Sequence, residues 1–194
     1  MRLLKPVPIL PPLLLLLVPS IPSSCLLAQT AAIPARIREP VDESSLTVLK
    51  DNRHPLAIPV NDRGAVPPDL PMERMLLVLK RDPGLESALE RLITEQQDKS
   101  SPGFHNWLSP EQFGERFGLS RSDLQTLTAW LKSHGFRVNR IARSGMAIEF
   151  SGTAAQVQEA FHTSIHRYAV GPEMHYANAS DPQIPRPWRR RSRE

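Results

Sequence analysis

Five histidines in the second half of the chain are the residues with the clearest capacity for chemistry. An imidazole gains a proton between about pH 7 and pH 5, so a group of imidazoles predicts sensitivity to acid. For each residue taken singly, an ordinary surface or partly buried histidine is the favoured interpretation. The candidate pH-sensing residues are His105, His134, His162, His166 and His175.

A metal or cofactor site is not expected from these histidines. Two imidazoles four residues apart share one face of a helix, the arrangement that zinc-binding helices use. His162 and His166 have this spacing, but they fall on a predicted boundary between a helix and a strand. The single cysteine, Cys25, lies in a segment that is expected to be removed, so we expect neither thiol chemistry nor disulfides.

Carboxylates and hydroxyls give no clearer catalytic arrangement. A pair of carboxylates can act as general acid and general base, but no spacing singles out two of them, and most are expected on solvated helix faces. The run Ser-Gly-Thr-Ala at 151–154 is interpreted as a turn and helix cap. No catalytic residue is assigned. The carboxylates considered are Glu111, Glu115, Asp123, Glu149, Glu159 and Asp181.

The distribution of proline indicates which part of the chain must position these residues. The 20 prolines concentrate in residues 6–22, 34–71 and 172–187. Proline removes backbone donors that helices and central strands need. The packed domain is therefore expected within residues 72–170. Aromatic residues beside its helix ends are expected in the core: Trp107, Phe113, Phe117, Trp130 and Phe136.

Hydrophobic periodicity and capping signals predict the order of elements in this domain. The pattern predicts strands at 74–79, 136–142, 146–150 and 164–170, and helices from 85 to before Ser101, 110–117, 120–134 and 154–161. This order of elements is typical of an α+β fold: a strand, a helix, two further helices, two strands in a hairpin, a helix and a strand. We predict a ferredoxin-like split βαβ arrangement, with an antiparallel sheet and helices on one face.

The two ends of the chain are expected to lie outside that domain. Residues 1–28 have a basic start, an apolar run and a small-residue site ending at Ala28, as in a secretory signal peptide. We therefore expect a secreted or periplasmic protein without stable membrane association, and we disfavour a lipoprotein anchored at Cys25. Residues 29–71 are expected as an extended lead-in, in which Leu46–Leu49 could add an edge strand. Residues 171–194 are expected as a connector with a basic tail.

The net charge of +4 does not indicate nucleic-acid binding. Much of the excess comes from arginines at the C-terminal end, and the middle of the chain is nearly balanced. Net charge bears on solubility and loose association rather than on a specific partner. The arginines are Arg186, Arg189, Arg190, Arg191 and Arg193.

Several separated runs in the predicted domain resemble the activation domain of the kumamolisin and sedolisin serine-carboxyl peptidases. The resemblance covers roughly residues 56–185, with the runs in the expected order. The runs are 101–113, which begins Ser-Pro-Gly-Phe-His, 129–136, 148–161, 165–168, 175–178 and 184–185.

The resemblance implies a subtilisin-propeptide-like domain that templates folding of a peptidase catalytic domain, blocks its cleft and is removed in acid. It implies that the catalytic glutamate, aspartate, serine and calcium site belong to the catalytic domain, so this chain is expected to be no enzyme. The run 151–154 resembles the stretch around the nucleophilic serine of the family, but Ala154 stands in the place of that serine and has no oxygen with which to attack. The exposed sheet face and a cleft-facing tail are the implied contacts; the tail candidates are His175, Tyr176, Ala177, Asn178, Ile184 and Pro185.

Three functions remain open at this level. The chain ends at Glu194, where a connector to a catalytic domain is expected, so it is either a regulator that meets its peptidase in trans or an N-terminal piece of a peptidase, by truncation or frameshift. These two alternatives differ in whether the gene encodes a catalytic domain downstream of residue 194. An unrelated secreted binding module with the same fold is the third alternative.

Overall fold

The computed structural model describes residues 33–186. In it, side chains that cap the first turn determine where the helices begin. The side chains of Asp82, Ser109, Ser120 and Thr153 each accept a backbone N–H of the first helical turn, which would otherwise lack a partner. The structure confirms all four predicted helices, which are α1 (Pro83–Gln97), α2 (Pro110–Phe117), α3 (Arg121–Ser133) and α4 (Ala154–Phe161). Helix α1 begins two residues before its predicted start, and the other three begin within one residue of theirs.

The described residues contain eight strands, all in antiparallel pairs. A short 3-10 helix, Pro59–Asn61, precedes the second strand. The α+β class and the antiparallel pairing confirm the prediction. The strands are β1 (Leu46–Val48), β2 (Asp62–Ala65), β3 (Pro71–Val78), β4 (Arg137–Ile141), β5 (Ala147–Thr153), β6 (Ile165–Val170), β7 (Glu173–Asn178) and β8 (Gln183–Pro185).

The central sheet has the order β3-β5-β4 and carries α3 and α4 on one face. Strand β6 differs from the split βαβ expectation, because it pairs with β2 and β7 in a second sheet rather than with β3. The reason lies between β2 and β3, where Pro67 and Pro68 lack the N–H groups that a continuous strand would need. The carbonyls of Pro68 and Leu70 instead accept the first N–H groups of α4.

The core lies between α3, α4 and the inner face of the central sheet. Leu131 and Ile148 are fully buried, and the rings of Trp130, Phe150 and Phe161 pack around them. Edge-to-face and tilted ring packing adds to the burial of apolar area. No helix in the described part of the chain is long and apolar enough to span a bilayer.

The predicted environments of Trp107 and Gln96 are wrong. The sequence predicts Trp107 in the core, but it is 64% exposed, because its loop turns outward after α1 and its ring lies beside the ring of His105. The helical pattern predicts that Gln96 faces outward, but it is buried, since its side-chain amide donates to the Asn106 carbonyl and so closes that loop.

The segments on either side of the predicted domain also form strands. Strand β1, which matches the expected edge strand at Leu46–Leu49, pairs with β8, and β7 pairs with β6. The division of the chain at residues 28, 71 and 170 stays a prediction, and residues 1–28 lie outside the described residues.

Candidate functional site

The face of the central sheet that is turned away from the helices is the candidate site, and we call it the open face. Successive side chains of a strand point to opposite sides of the sheet. Because Leu77 and Ile148 point into the core, their neighbours Leu76, Val78 and Glu149 point outward. Leu76 is 60% exposed and Val78 76% exposed, so strand β3 presents an apolar strip.

Glu149 is the centre of the charged part of the open face. Its carboxylate accepts a hydrogen bond from Arg140 Nε at 2.8 Å on β4 and lies 3.5 Å from Arg74 Nε on β3. Its side chain is only 11% exposed, whereas both arginines are largely exposed. The hydrogen bond from Arg140, together with the charges of both arginines, lowers the pKa of the Glu149 carboxyl. The cluster therefore stays ionised in moderately acid solution.

Arg74 reaches this cluster through an irregular backbone. The pairing register of β3 shifts between Met72 and Met75, and Arg74 has a φ of 55°. A positive φ is uncommon for a residue with a Cβ and is held by its surroundings. Here the Arg74 N–H donates to Ser151 Oγ at 3.1 Å, and Asn139 donates to the same oxygen at 2.8 Å. The bulge directs a cation onto the open face.

His134 is one of two candidate histidines that form close contacts with a carboxylate from a distant segment. Its Nε2 lies 2.9 Å from Glu43 Oε1, which also accepts the Trp130 indole N–H at 2.7 Å. The hydrogen bond with His134 is the main cause that lowers the pKa of the Glu43 carboxyl, and the charge of His162 adds to it. His134 is therefore part of a contact within the domain rather than of an open surface.

His166, on β6 of the second sheet, is the other candidate histidine in close contact with a distant carboxylate. Its Nδ1 lies 2.9 Å from an Asp62 carboxylate oxygen on β2. The Gly64 N–H, followed by His166, lowers the pKa of the Asp62 carboxyl. On the next strand, exposed His175 lies 3.4 Å from Glu173.

The remaining candidates occupy turn positions. His162 ends α4 with a φ of 52°, and His105 has a φ of 55° with its ring stacked on Phe104. The structure does not gather the five histidines into one site, and the strands that make the open face contain no histidine. Their role in sensing pH stays a prediction.

The candidate tail residues divide into two groups. His175, Tyr176, Ala177 and Asn178 lie in β7, which pairs with β6 at the edge of its sheet in the described part of the chain. His175, Tyr176 and Ala177 line a hollow of about 370 Å³ together with residues around Leu56. Ile184 and Pro185, by contrast, are buried in β8. Their predicted entry into a peptidase cleft would require β8 to leave β1.

In the described part of the chain, no group of three or more histidine, cysteine, aspartate or glutamate side chains is placed to hold a metal ion. The helix cap predicted in 151–154 is confirmed, since Thr153 caps α4, but the predicted turn is wrong, because residues 151–153 are the end of strand β5 and Ser151 is buried there. The expectation of solvated helix positions is wrong for Asp123, which is fully buried in the first turn of α3.

Sequence reasoning missed the partners that the N-terminal lead-in supplies. Residues 33–49, which we call the strap, contribute Glu43 to His134 and two backbone N–H groups to Asp123. An aspartate three residues after a capping serine is common at helix starts, so Asp123 carried no distinguishing signal. The contacts are about 90 residues apart in the chain, beyond the range of local patterns.

Comparison of the sequence with known proteins finds a family and two relatives. Residues 60–190 match the family described as pro-kumamolisin, activation domain. The chain is similar to xanthomonalisin from Xanthomonas sp. (strain T-22), with 29% identity over 121 residues, or 62% of this chain. It is also similar to sedolisin from Pseudomonas sp. (strain 101), with 27% identity over 100 residues, or 52% of this chain. The matched parts span 14% and 17% of those two proteins.

Proposed function

The chain belongs to the pro-kumamolisin activation domain family, and we propose that it acts as the propeptide-type domain of a secreted serine-carboxyl peptidase, serving as folding template and acid-sensitive inhibitor. Its partner in this proposal is a sedolisin-like catalytic domain, joined to it in cis or met in trans. The observation that carries the proposal is the open face, where apolar and charged side chains are displayed on a rigid sheet.

The composition of the open face supports docking to another protein. Leu76 and Val78 leave apolar surface in water, which is unfavourable unless a partner covers it. Beside them, Arg74 and Arg140 supply directional donors around Glu149. Protein interfaces commonly combine an apolar centre with arginine contacts at or near it.

We further propose that the chain has no catalytic activity of its own. The Ser151 hydroxyl accepts hydrogen bonds from the Arg74 N–H and the Asn139 amide, neither of which is a base. A serine nucleophile needs an adjacent base to take its proton. Glu149, the carboxylate at the centre of the open face, binds Arg74 and Arg140 instead.

Secretion is part of the proposal and rests on the signal-peptide pattern of residues 1–28. Expression with the leader in a secreting host is expected to release a protein that begins at Gln29. N-terminal sequencing of the exported protein measures this, and a protein that retains residues 1–28 would contradict cleavage at Ala28.

We attribute acid sensitivity to groups whose charge changes as pH falls. The pairs of His134 with Glu43 and of His166 with Asp62 are charged on both sides only while the histidine is protonated and the carboxylate is ionised. Histidines gain charge between about pH 7 and pH 5, whereas Glu149 loses its charge only at a lower pH, because its pKa is lowered. The pH at which docking weakens therefore identifies the responsible groups.

The test is inhibition of purified sedolisin-type peptidases by the exported chain, titrated from pH 7 to pH 3. We expect tight inhibition near neutral pH and weak inhibition in acid. A decline between pH 7 and pH 5 would favour the histidines, and a decline below pH 5 would favour Glu149 and the other carboxylates. Each tenfold loss of affinity corresponds to about 1.4 kcal/mol.

A matched pair of valines tests the docking surface itself. Val78 on the open face and Val60 in the 3-10 helix are exposed to similar extents, at 76% and 72%. We expect Val78→Asp to weaken inhibition at least about tenfold, because a charge would be buried in the interface. Val60→Asp is expected to leave inhibition nearly unchanged.

Equal effects of the two substitutions would contradict docking through the open face. A folded chain that inhibits no member of the family in trans would leave the cis arrangement, in which the same surface meets a catalytic domain on its own chain. A folded chain that binds no such catalytic domain in either arrangement would favour an unrelated binding module.

A further inference from the structure

We propose that the strap, residues 33–49, is a positioning element that fixes where the chain leaves the domain after Arg186. It does so by holding β8, the last described strand, from the N-terminal side. The strap precedes residues 60–190, the part that matches the activation-domain family, so its contacts add to what that match describes.

The first anchor of the strap is the buried carboxylate of Asp123. The Arg36 N–H donates to both Asp123 oxygens at 3.0 Å, and the Ile37 N–H donates to Oδ1 at 2.8 Å. On the other side, the Arg36 side chain donates to the Lys80 carbonyl at 2.6 Å. A buried charge is stable only when such donors satisfy it, so the carboxylate and the strap backbone depend on each other.

The second anchor lies seven residues further along the strap. Glu43 Oε1 accepts a hydrogen bond from the Trp130 indole and lies within hydrogen-bonding distance of His134, both at the C-terminal end of α3. Between and beyond the anchors, Ile37, Val41 and Leu49 pack against the domain core. The strap thus follows α3 with alternating polar and apolar contacts.

The strap ends in β1, which holds the exit of the chain. Leu49 N–H donates to the Pro182 carbonyl at 2.8 Å, and Arg186 N–H donates to the Ser45 carbonyl at 2.9 Å. In addition, Arg186 Nε donates to the Leu46 carbonyl at 3.3 Å. The last described residue is therefore fixed by two carbonyl groups of the strap.

A second group of contacts lies directly after β1. The Asn52 N–H donates to Asp181 Oδ1 at 2.9 Å, and the Asn178 side chain donates to the Asn52 carbonyl at 3.2 Å. These contacts hold the turn that leads from β7 into β8. The approach to β8 and its end are thus both bonded to the N-terminal segment.

This position matters because the connector expected at residues 171–194 leads from the domain toward the peptidase catalytic domain of the proposed function, and in this respect the inference rests on that proposal. While β8 stays paired with β1, Ile184 and Pro185 remain in the domain and do not enter a cleft. A tethered segment finds its site at a higher effective concentration when its point of departure is fixed. Strap closure should therefore strengthen inhibition without contributing any residue to the open face.

Two proline substitutions in β1 test the positioning role. Hydrogen-bonded pairs alternate with non-bonded pairs in an antiparallel ladder. Because residues 45 and 49 bond to β8, Thr47 between them also directs its N–H toward β8, opposite Ile184, whereas the Val48 N–H points away. Thr47→Pro removes a ladder donor, and Val48→Pro is the matched control with the same restriction of φ.

The measurement is amide hydrogen exchange in the exported full-length chain. We expect Thr47→Pro to accelerate exchange at Ile184 and Arg186 at least about tenfold, while strand β6 keeps its protection and so shows that the domain is folded. Val48→Pro should have a much smaller effect. Equal acceleration by both substitutions, or none by Thr47→Pro, would overturn the inference.

A milder variant keeps the test valid if Thr47→Pro unfolds the domain. Glu43→Ala removes the second anchor without altering β1, and it is expected to accelerate exchange at Ile184 and Arg186 about threefold, again with β6 unchanged. Unchanged exchange in this variant would show that the strap does not hold β8.

Inhibition measurements separate failure of this inference from failure of the proposed function. If the wild-type chain inhibits a sedolisin-type peptidase, Thr47→Pro should weaken inhibition several-fold, and an unchanged inhibition constant would contradict positioning. If the wild-type chain does not inhibit, the exchange data still decide whether the strap holds β8.

Discussion

Two carboxylates, Asp123 under the strap and Glu149 on the open face, show how differently this domain uses the same chemical group. Asp123 is fully buried and binds backbone N–H groups of a segment about 90 residues earlier in the chain. Glu149 binds two long cationic side chains that remain largely exposed. The first arrangement leaves no surface for a partner, whereas the second displays its charges.

The two carboxylates are therefore expected to have different roles: Asp123 stabilises the domain, and Glu149 contributes to binding a partner. The backbone donors cannot turn away from Asp123 unless the strap moves, so this contact holds the strap to α3. The arginines around Glu149 can adjust their side chains when another surface approaches. We therefore expect substitutions at Asp123 to change mainly stability, and substitutions around Glu149 to change mainly binding.

The largest expected effect is on stability, from Asp123→Ala. The substitution leaves the Arg36 and Ile37 N–H groups without their acceptor, and we expect it to lower the free energy of unfolding by about 3 kcal/mol. Chemical denaturation followed by tryptophan fluorescence measures the change. Glu159→Ala, on the exposed side of α4, is the control and should change it by less than about 0.5 kcal/mol. Similar losses in both variants would remove the distinction between the two carboxylates.

A smaller effect is expected from Glu43→Gln, and it depends on pH. The folded-state pKa of Glu43 is lowered from the ordinary 4.5, chiefly by the hydrogen bond with His134. Its stabilisation is therefore fully present above the ordinary pKa and is lost as pH falls through the lowered value. Wild type should exceed the variant in stability at pH 6, and the gap should close toward pH 3.

Thermal unfolding at pH 6, 4.5 and 3 measures this gap. A gap that stays constant over the three pH values would show that the ionised form of Glu43 does not hold the strap. Because half of the Glu43 side chain is exposed, solvent screening keeps the effect below that of Asp123→Ala.

The smallest effect on stability is expected from Arg74→Gly on the open face. Glycine adopts the φ of 55° without strain, which offsets its greater loss of chain entropy on folding, so the free energy of unfolding should change by less than about 1 kcal/mol. Inhibition should nevertheless weaken several-fold, because a displayed cation is lost. Glu73→Gly, at the neighbouring residue without a positive φ, should be the more destabilising of the two. The reverse order would show that the bulge does not strain Arg74.

Local signals predicted most of the helices and strands, and long-range contacts account for what they missed. Ser109 and Ser120 each accept a backbone N–H three residues later and so mark the start of a helix. Gly135, with its positive φ, follows the end of α3 where the sequence predicts. The pairing of β6 with β2, by contrast, depends on how the chain turns at Pro67 and Pro68. A sequence pattern specifies the strands, but a turn decides which neighbours they have.

The candidate site was predictable only in outline. The continuous apolar run at 74–79 predicts a buried strand, whereas Leu76 and Val78 are exposed, and the run does not reveal the bulge that turns Arg74 toward Glu149. The histidines were recognisable by type alone, since their partners Glu43 and Asp62 lie in a segment interpreted as an extended lead-in. Their pairing with distant carboxylates is set by tertiary packing.

The union of β1 with β8 joins residues 140 positions apart and so has a consequence for the order in which the domain is completed. As the chain is made from its N-terminus, β1 appears early, yet its partner strand follows only about 140 residues later. Contacts between such distant residues slow folding, because a long loop must be closed before they form. The strap is thus expected to close last, after the central sheet, and a chain halted before Gln183 would contain β1 without its partner.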